Sequence, residues 1–214
     1  ESGGFRLSLN QGGNTFLAGI HRAETTPRGS PSLGPSTYVL GTDIDIGDYY
    51  VEAAPALKIT TTTAHLGASI DLGHGFRTTG EYVRRKNSGS TLAPDSKGFY
   101  LTLQKDLGSW TPYLTYARLT TKNRGLYQAV NSAQPPPFSP LNAYERAIAD
   151  TFVVYDQDTW ALGTSYAIDS KNKIKAEWSV VKTGVASSFV DASPGGESGD
   201  QHINVFSLSY SFTF

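Results

Sequence analysis

Hydrophobic and polar residues alternate along most of this chain, in segments of about ten residues. The clearest example is the C-terminal segment, where Phe206, Leu208, Tyr210, Phe212 and Phe214 alternate with Ser and Thr. Because successive side chains of a β-strand point to opposite faces, one face of this strand is apolar and the other is hydroxylic. Helical periodicity is nearly absent, so the pattern predicts an all-β protein.

The alternation predicts eleven strands, and the connections between them also alternate, short and long. The predicted strands cover residues 4–10, 14–23, 37–46, 49–58, 62–72, 75–86, 97–106, 110–121, 152–168, 173–183 and 201–214. The regular order of connections weakens only at residues 59–61. A meander with long loops at one end and tight turns at the other is typical of an up-and-down β-barrel.

Composition excludes several classes of protein. The absence of Cys excludes disulfide scaffolds, zinc–thiolate sites and iron–sulfur clusters. A net charge of −1 and a pI near 6.5 leave no basic surplus, so no nucleic-acid partner is expected. No apolar run approaches the roughly 18 residues that a membrane helix needs. Charged residues make up 17%, which suits a surface that meets lipid rather than water.

The character of the two faces distinguishes a soluble barrel from a membrane barrel. An apolar lumen enclosed by eleven strands would be too wide for side chains to fill. The polar face carries mostly Ser, Thr, Gly and Ala with isolated charges, whereas a soluble surface would carry many Lys and Glu. The sequence therefore predicts a transmembrane antiparallel β-barrel with a water-filled lumen and an apolar face against lipid. Such a barrel needs no cofactor.

The last predicted strand resembles a known signal. The segment Val205–Phe214, with aromatic residues at Tyr210, Phe212 and Phe214, resembles the insertion signal that the barrel assembly machinery reads in Gram-negative outer-membrane β-barrels. Two further stretches resemble strands of porin-like proteins, Glu81–Arg85 and Trp110–Tyr116. The resemblance implies a bacterial outer-membrane location, contacts with outer-membrane lipid and lipopolysaccharide, and a homotrimer.

The predicted strand number conflicts with a complete barrel. Single-chain bacterial barrels have an even number of strands, and eleven is odd. Three interpretations remain open: the chain is the C-terminal part of a 16- or 18-stranded porin, the segment 4–10 does not span and ten strands remain, or the loop 122–151 hides a twelfth strand. We favour the first.

The alternation also predicts which charged residues line a pore. Both signs occur in the predicted pore-lining set, which comprises Asp43, Asp45, Glu52, His65, Asp71, Arg77, Glu81, Arg85, Lys175 and Glu177. Such charges orient and sort solutes at a constriction. The alternative is a solvated lining whose charges only keep the channel wet. Within the set, Arg77, Glu81 and Arg85 share one strand and are the best candidates for a basic patch.

The long loop 122–151 has two open roles. It either folds into the lumen and narrows it, or lies outside and meets lipopolysaccharide or other subunits. Asn142–Glu145 has the form of a capping box, which predicts a short helix that includes Arg146–Ala149.

The favoured function is passive diffusion of small hydrophilic solutes or ions through an outer-membrane channel. Lumen charge and the long loop would set the selectivity. We therefore expect no enzymatic activity, no catalytic residue and no metal site. Two alternatives are a barrel enzyme of protease or lipase type, with His21 or His202 as a general base, and a structural or scaffolding barrel with a plugged lumen.

Overall fold

In the residues that the structure describes, all the regular secondary structure is β-strand. The computed structural model describes residues 1–25, 37–43, 47–52, 58–88, 94–122, 154–190 and 199–213. The strands are β1 (Ser2–Gln11), β2 (Asn14–Thr25), β3 (Thr37–Asp43), β4 (Gly47–Glu52), β5 (Ile59–Gly73), β6 (Phe76–Ser88), β7 (Ser96–Lys105), β8 (Trp110–Thr121), β9 (Asp156–Ala167), β10 (Asn172–Thr183) and β11 (His202–Phe212). Each predicted strand has a counterpart, and among the bounds flanked by described residues the largest difference is the start of β9, predicted at residue 152 and found at Asp156.

Within the described residues, no helix is long and apolar enough to cross a membrane.

Nine of the strands form one antiparallel sheet in the order β1-β2-β5-β6-β7-β8-β9-β10-β11. This confirms the all-β, up-and-down arrangement. The prediction of eleven consecutive barrel strands is not confirmed, because β3 and β4 pair with each other in a separate two-stranded sheet. Instead, β2 pairs directly with β5, from Thr15 opposite Ser69 to Thr25 opposite Ile59. The sheet is open, with β1 and β11 at its edges.

The position of β3 and β4 explains the irregularity in the predicted connections. Both strands belong to one long connection between β2 and β5, and residues 59–61 lie inside β5. The connections within the nine-stranded sheet therefore alternate without exception between tight turns and long segments. We call the two ends of the sheet the turn end and the loop end.

The apolar side chains of the sheet are exposed rather than packed in a core. Leu66, Leu162 and Leu208 are 61%, 57% and 78% exposed. Among the described residues, the buried hydrophobic side chains are only Val154, Ala161, Val181 and Ala186. A soluble protein would bury its large apolar residues, so this exterior face needs an apolar environment outside the protein.

Aromatic pairs lie at both ends of the exterior apolar face. At the turn end, the rings of Trp110 and Tyr166 lie 4.6 Å apart. Towards the loop end, the rings of Tyr116 and Trp160 lie 4.8 Å apart. Trp110 and Tyr116 are six residues apart on β8, about 20 Å along a strand at about 3.4 Å per residue. Aromatic girdles that flank an apolar band of about 25 Å are typical of membrane barrels.

Aspartate side chains organise the tight turns. Asp71, Asp106 and Asp169 each accept a hydrogen bond from the backbone N–H two residues ahead, at 2.8, 3.0 and 2.7 Å. Gly73 and Gly108, which donate in the first two turns, have φ of 79° and 77°, a conformation that favours glycine. The turns are also joined laterally, since the N–H of Asp106 donates to the carbonyl of Gly75 at 2.7 Å.

Candidate functional site

The inward face of the sheet is the candidate site, and register places most of the predicted pore-lining residues on it. One row of paired residues crosses the sheet from Asp71 through Arg77, Gln104, Tyr113 and Gly163 to Glu177 and Ser207. Paired residues of neighbouring strands lie on the same face, and so does every second residue along each strand. The other predicted residues of this sheet therefore lie on the inward face as well; they are His65, Glu81, Arg85 and Lys175.

Two predicted pore-lining residues lie outside this sheet. Asp43 and Glu52 end β3 and β4, which form the separate ribbon. Alternation places these two residues on the inward face only if β3 and β4 belong to the main sheet, so that placement no longer follows. Asp45 lies outside the described residues. The pore-lining role of these three residues, like that of the other seven in the predicted set, stays a prediction.

The proposed basic patch on β6 is not brought together. Arg77 and Arg85 are eight residues apart on one strand, about 27 Å at about 3.4 Å per residue, with Glu81 between them. The Arg77 guanidinium lies 3.5 Å from the carboxylate of Asp71 and donates to the carbonyl of Gly13 at 3.1 Å. Arg77 therefore ties the first two turns of the sheet together and lies on its inward face.

A cluster of side chains on the inward face joins three neighbouring strands. Tyr113 on β8 donates from its hydroxyl to Glu177 Oε2 on β10 at 2.5 Å, across β9. The ring passes over Gly163, where an added Cβ would lie 2.2 Å from the Tyr113 hydroxyl oxygen. Lys175 Nζ lies 3.0 Å from Glu177 Oε2 and 5.0 Å from the centre of the Tyr113 ring. Glycine at 163 thus makes the cross-strand contact possible.

This cluster borders a polar recess of ≈ 520 Å³ on the inward face. Its remaining lining is dominated by hydroxyl groups, including those of Thr102, Thr115, Ser165 and Ser209. Lys173 also lines the recess and forms no ion pair among the described residues, whereas Lys175 is paired with Glu177. The recess therefore combines many hydrogen-bonding groups with the positive charge of Lys173.

The His residues are dispersed. His65 lies on the inward face over Gly19, where an added Cβ would lie 2.5 Å from the imidazole Cε1. His21 pairs in register with Gly4 and Thr63 on the inward face, whereas His202 pairs with Lys182 on the exterior face. Among the described residues, no acidic side chain lies within hydrogen-bond distance of these three imidazoles, and no three His, Asp or Glu side chains form a metal-binding group.

The structure shows an element that sequence reasoning missed, the segment Gly184–Val190 after β10. Ser187 donates to the inward-facing Gln157 at 2.7 Å, and Ser187 and Ala186 are completely buried. The inward-facing Val181 and Thr183 of β10 are also buried, at 4% and 0% exposed. The N–H of Val185 donates to the carboxylate of the exterior-facing Asp156 at 3.1 Å, so the segment packs around the loop end of β9 and β10 with Ser187 on the inward side. The sequence offers no signal for this arrangement beyond the small side chains of Ala186 and Ser187.

The loop 122–151, on which the sequence prediction of a constriction rested, lies outside the described residues except for its first residue. The short helix predicted over 146–149 lies outside them as well. Both stay predictions.

Comparison with known proteins gives matches among solved structures alone. No protein-family model matches the chain, and no curated protein sequence matches it. The fold is similar to outer-membrane expressed OmpT of Vibrio cholerae, with a TM-score of 0.56 and 11% identity over 99% of this chain and 56% of that chain. It is also similar to OmpTdeltaL8, a loop L8 deletion mutant of that protein, with a TM-score of 0.52 and 11% identity over 97% and 51%.

These matches show the fold. The chain has the antiparallel up-and-down sheet of outer-membrane β-barrel proteins, which bears out the predicted location in the bacterial outer membrane. The chain spans about half the length of the solved structures it matches.

The expectation that the protein is not an enzyme is corrected by the same matches. That expectation came from assigning the chain to porin-like proteins, and the matches reach the outer-membrane barrel fold without reaching that assignment. Because a fold hosts channels and enzymes alike, exclusion of enzymatic activity does not follow from it.

Proposed function

We propose that the chain forms the lining of an outer-membrane channel for passive diffusion of small hydrophilic solutes or ions. The observation that carries the proposal is the contrast between the two faces of one nine-stranded sheet. The exterior face is apolar and exposed, with aromatic pairs at both ends. The inward face holds many hydroxyl groups and charges of both signs, and it includes the polar recess. A barrel built this way has lipid outside and water inside.

Closure of the barrel requires further strands in this proposal. β1 and β11 both run from the loop end to the turn end, and an all-antiparallel barrel needs an odd number of strands between two strands of like direction. This chain covers 56% and 51% of the matched chains, so barrels of this fold have room for such additional strands.

Selectivity in the proposed channel comes from size and a small excess of positive charge. On the inward face of the sheet, five cationic side chains stand against three carboxylates; the cations are Arg6, Arg77, Arg85, Lys173 and Lys175, and the carboxylates are Asp71, Glu81 and Glu177. The segment Gly184–Val190 narrows the loop end. We therefore propose a sieve with a weak preference for anions.

The other contacts implied by the resemblance belong to the same proposal. Tyr210 and Phe212 are exposed on the exterior face at the turn end, at 58% and 64%, where the barrel assembly machinery would read them. Phe214 lies outside the described residues. A homotrimer completes the proposed assembly.

Planar-bilayer recording of the purified full-length protein tests the proposal. We expect stepwise currents. Under a salt gradient, the reversal potential should show a weak preference for anions. A protein that inserts and carries no current would contradict the channel. If such a silent protein cleaved peptide or ester bonds and lost that activity on His21→Ala or His202→Ala substitution, it would be a barrel enzyme instead.

A further inference from the structure

The exterior face carries exposed cations without anionic partners at the loop end of β6 and β7. Arg84 lies directly opposite Lys97 in register, and Lys86 lies two residues further along β6 on the same face. Like charges placed directly opposite each other destabilise a sheet. Among the described residues, none of these three side chains forms an ion pair, whereas the inward-facing Arg77 and Lys175 both do. We call Arg84, Lys86 and Lys97 the Arg84 cluster.

The acidic side chains on the exterior face of nearby strands are paired with cations outside the cluster: Asp156 and Asp158 of β9 with Arg118, and Glu24 of β2 with Lys58. The connection 89–95 between β6 and β7 contains a single acidic residue, Asp95, whose carboxylate already accepts the backbone N–H of Asn87 at 2.8 Å. On the other side, Lys97 pairs in register with Thr120 of β8. An anion that compensates Arg84 and Lys97 must therefore come from outside the sheet.

The cluster lies at the edge of the exterior apolar band. On the exterior face, the next pair of residues towards the turn end is Tyr82 opposite Phe99, and each side chain is 41% exposed. Leu101 lies beyond this pair and is 54% exposed. Aromatic side chains on the exterior of a membrane barrel mark the level of the lipid headgroups. The cationic groups therefore stand where headgroup phosphates lie, immediately above side chains that suit acyl chains.

We propose that the Arg84 cluster binds a phosphate group of lipopolysaccharide in the outer leaflet, with its acyl chains against Tyr82 and Phe99. Guanidinium and ammonium groups form charge-assisted hydrogen bonds with phosphate oxygens. A phosphate between Arg84 and Lys97 converts their mutual repulsion into two attractive contacts. The proposal rests on the membrane orientation in the proposed function, and it does not depend on channel activity.

The test compares lipid binding and thermal unfolding of the full-length protein in a mild detergent. The variant is Arg84→Gln/Lys97→Gln. The matched control is Lys105→Gln, which removes a cation from the exterior face of the same strand at the turn end. Without lipid, the double variant should unfold at the same temperature as wild type or higher, because a repulsion is removed. Added lipopolysaccharide should raise the midpoint of wild type and control, because it binds the folded state.

In the double variant, added lipopolysaccharide should leave the midpoint nearly unchanged, and the affinity for it should fall about tenfold or more. Dephosphorylated lipopolysaccharide should bind wild type as weakly as the variant binds the intact lipid. Equal binding by wild type and double variant would overturn the proposal. Inorganic phosphate that matches the effect of lipopolysaccharide at equal concentration would identify a free-phosphate site and overturn the lipid assignment.

Planar-bilayer currents from the same preparations separate this proposal from the proposed channel. A silent protein with cluster-dependent lipid binding refutes the channel and supports the lipid site. A conducting protein whose lipid binding ignores the cluster refutes the lipid site alone.

Discussion

Gly163 allows a side chain of β8 to reach across β9 to β10, and its substitution tests the inward-facing cluster. An added Cβ at position 163 would lie 2.2 Å from the Tyr113 hydroxyl oxygen and 2.3 Å from Cζ of the ring. It would also lie 2.9 Å from the backbone carbonyl oxygen of Ala176. The phenol ring must therefore leave its place in Gly163→Ala, and its 2.5 Å hydrogen bond to Glu177 is lost.

The free-energy cost follows from these contacts. A hydrogen bond to a charged group contributes about 1.5–3 kcal/mol. We take about 1 kcal/mol for Tyr113, because the ring is only half-buried and water replaces the lost donor. Displacement of the ring from the strand costs about 1 kcal/mol more. Gly163→Ala should therefore lower the free energy of unfolding by about 2 kcal/mol, and Tyr113→Phe by about 1 kcal/mol.

A double-mutant cycle isolates the effect of the ring. In a Tyr113→Ala background, Gly163→Ala should cost at least about 1 kcal/mol less than in wild type, because only the Ala176 carbonyl then opposes the new methyl group. Unfolding of the full-length protein by urea in lipid vesicles gives the four free energies. Gly98→Ala is the control, because the nearest atom to its added Cβ is a mobile methyl of Leu119 at 3.0 Å. Equal costs for Gly163→Ala in both backgrounds would refute the reasoning.

Three further predictions concern the lumen and the turns. Replacing residues 186–198 by a short turn should raise the single-channel conductance, and unchanged conductance would show that Gly184–Val190 does not narrow the path. Lys173→Glu should shift the reversal potential towards cation preference, whereas Lys105→Glu on the exterior face should not. The backbone N–H of Lys171, and then the side-chain amide of Asn172, hold the pKa of Asp169 below its ordinary value of 3.8. Stability from the charged Asp169 is therefore present above that value and lost as pH falls through the lower folded pKa. Below about pH 4, wild type should lose stability more steeply than Asp169→Asn in acid titrations followed by thermal unfolding, and parallel curves would contradict this.

The sequence predicted the strands well because membrane-barrel strands carry their pattern locally. A strand such as β11, with Leu208 outward and Ser209 inward, meets lipid on one side and water on the other, so period-two alternation survives intact. The same local signal could not separate β3 and β4 from the sheet. Alternation shows that a segment is extended and two-faced, but it does not show which strand lies beside it.

The inward side chains were predicted more reliably than their contacts. Alternation placed Glu177 and Lys175 on one face, and register confirms that placement. The contact of Tyr113 across Gly163 with Glu177 could not be predicted from the sequence. It depends on the register of β8, β9 and β10, and a long connection separates β8 from β9. The packing of Gly184–Val190 against β9 was missed for a similar reason. The hydrogen bond from Ser187 to Gln157 joins residues that are 30 positions apart in the sequence.

The central claim is that the polar face of the sheet borders a water-filled path, and chemical modification tests it most directly. The 214 residues contain no Cys, so a single introduced thiol is unique among them. Ser209→Cys places a thiol in the inward recess, and Leu208→Cys places one on the adjacent exterior position, which is 78% exposed. During planar-bilayer recording, a charged thiol reagent should lower the current through Ser209→Cys and leave Leu208→Cys unchanged. A current reduced at Leu208→Cys and unaffected at Ser209→Cys would contradict the assignment of the faces.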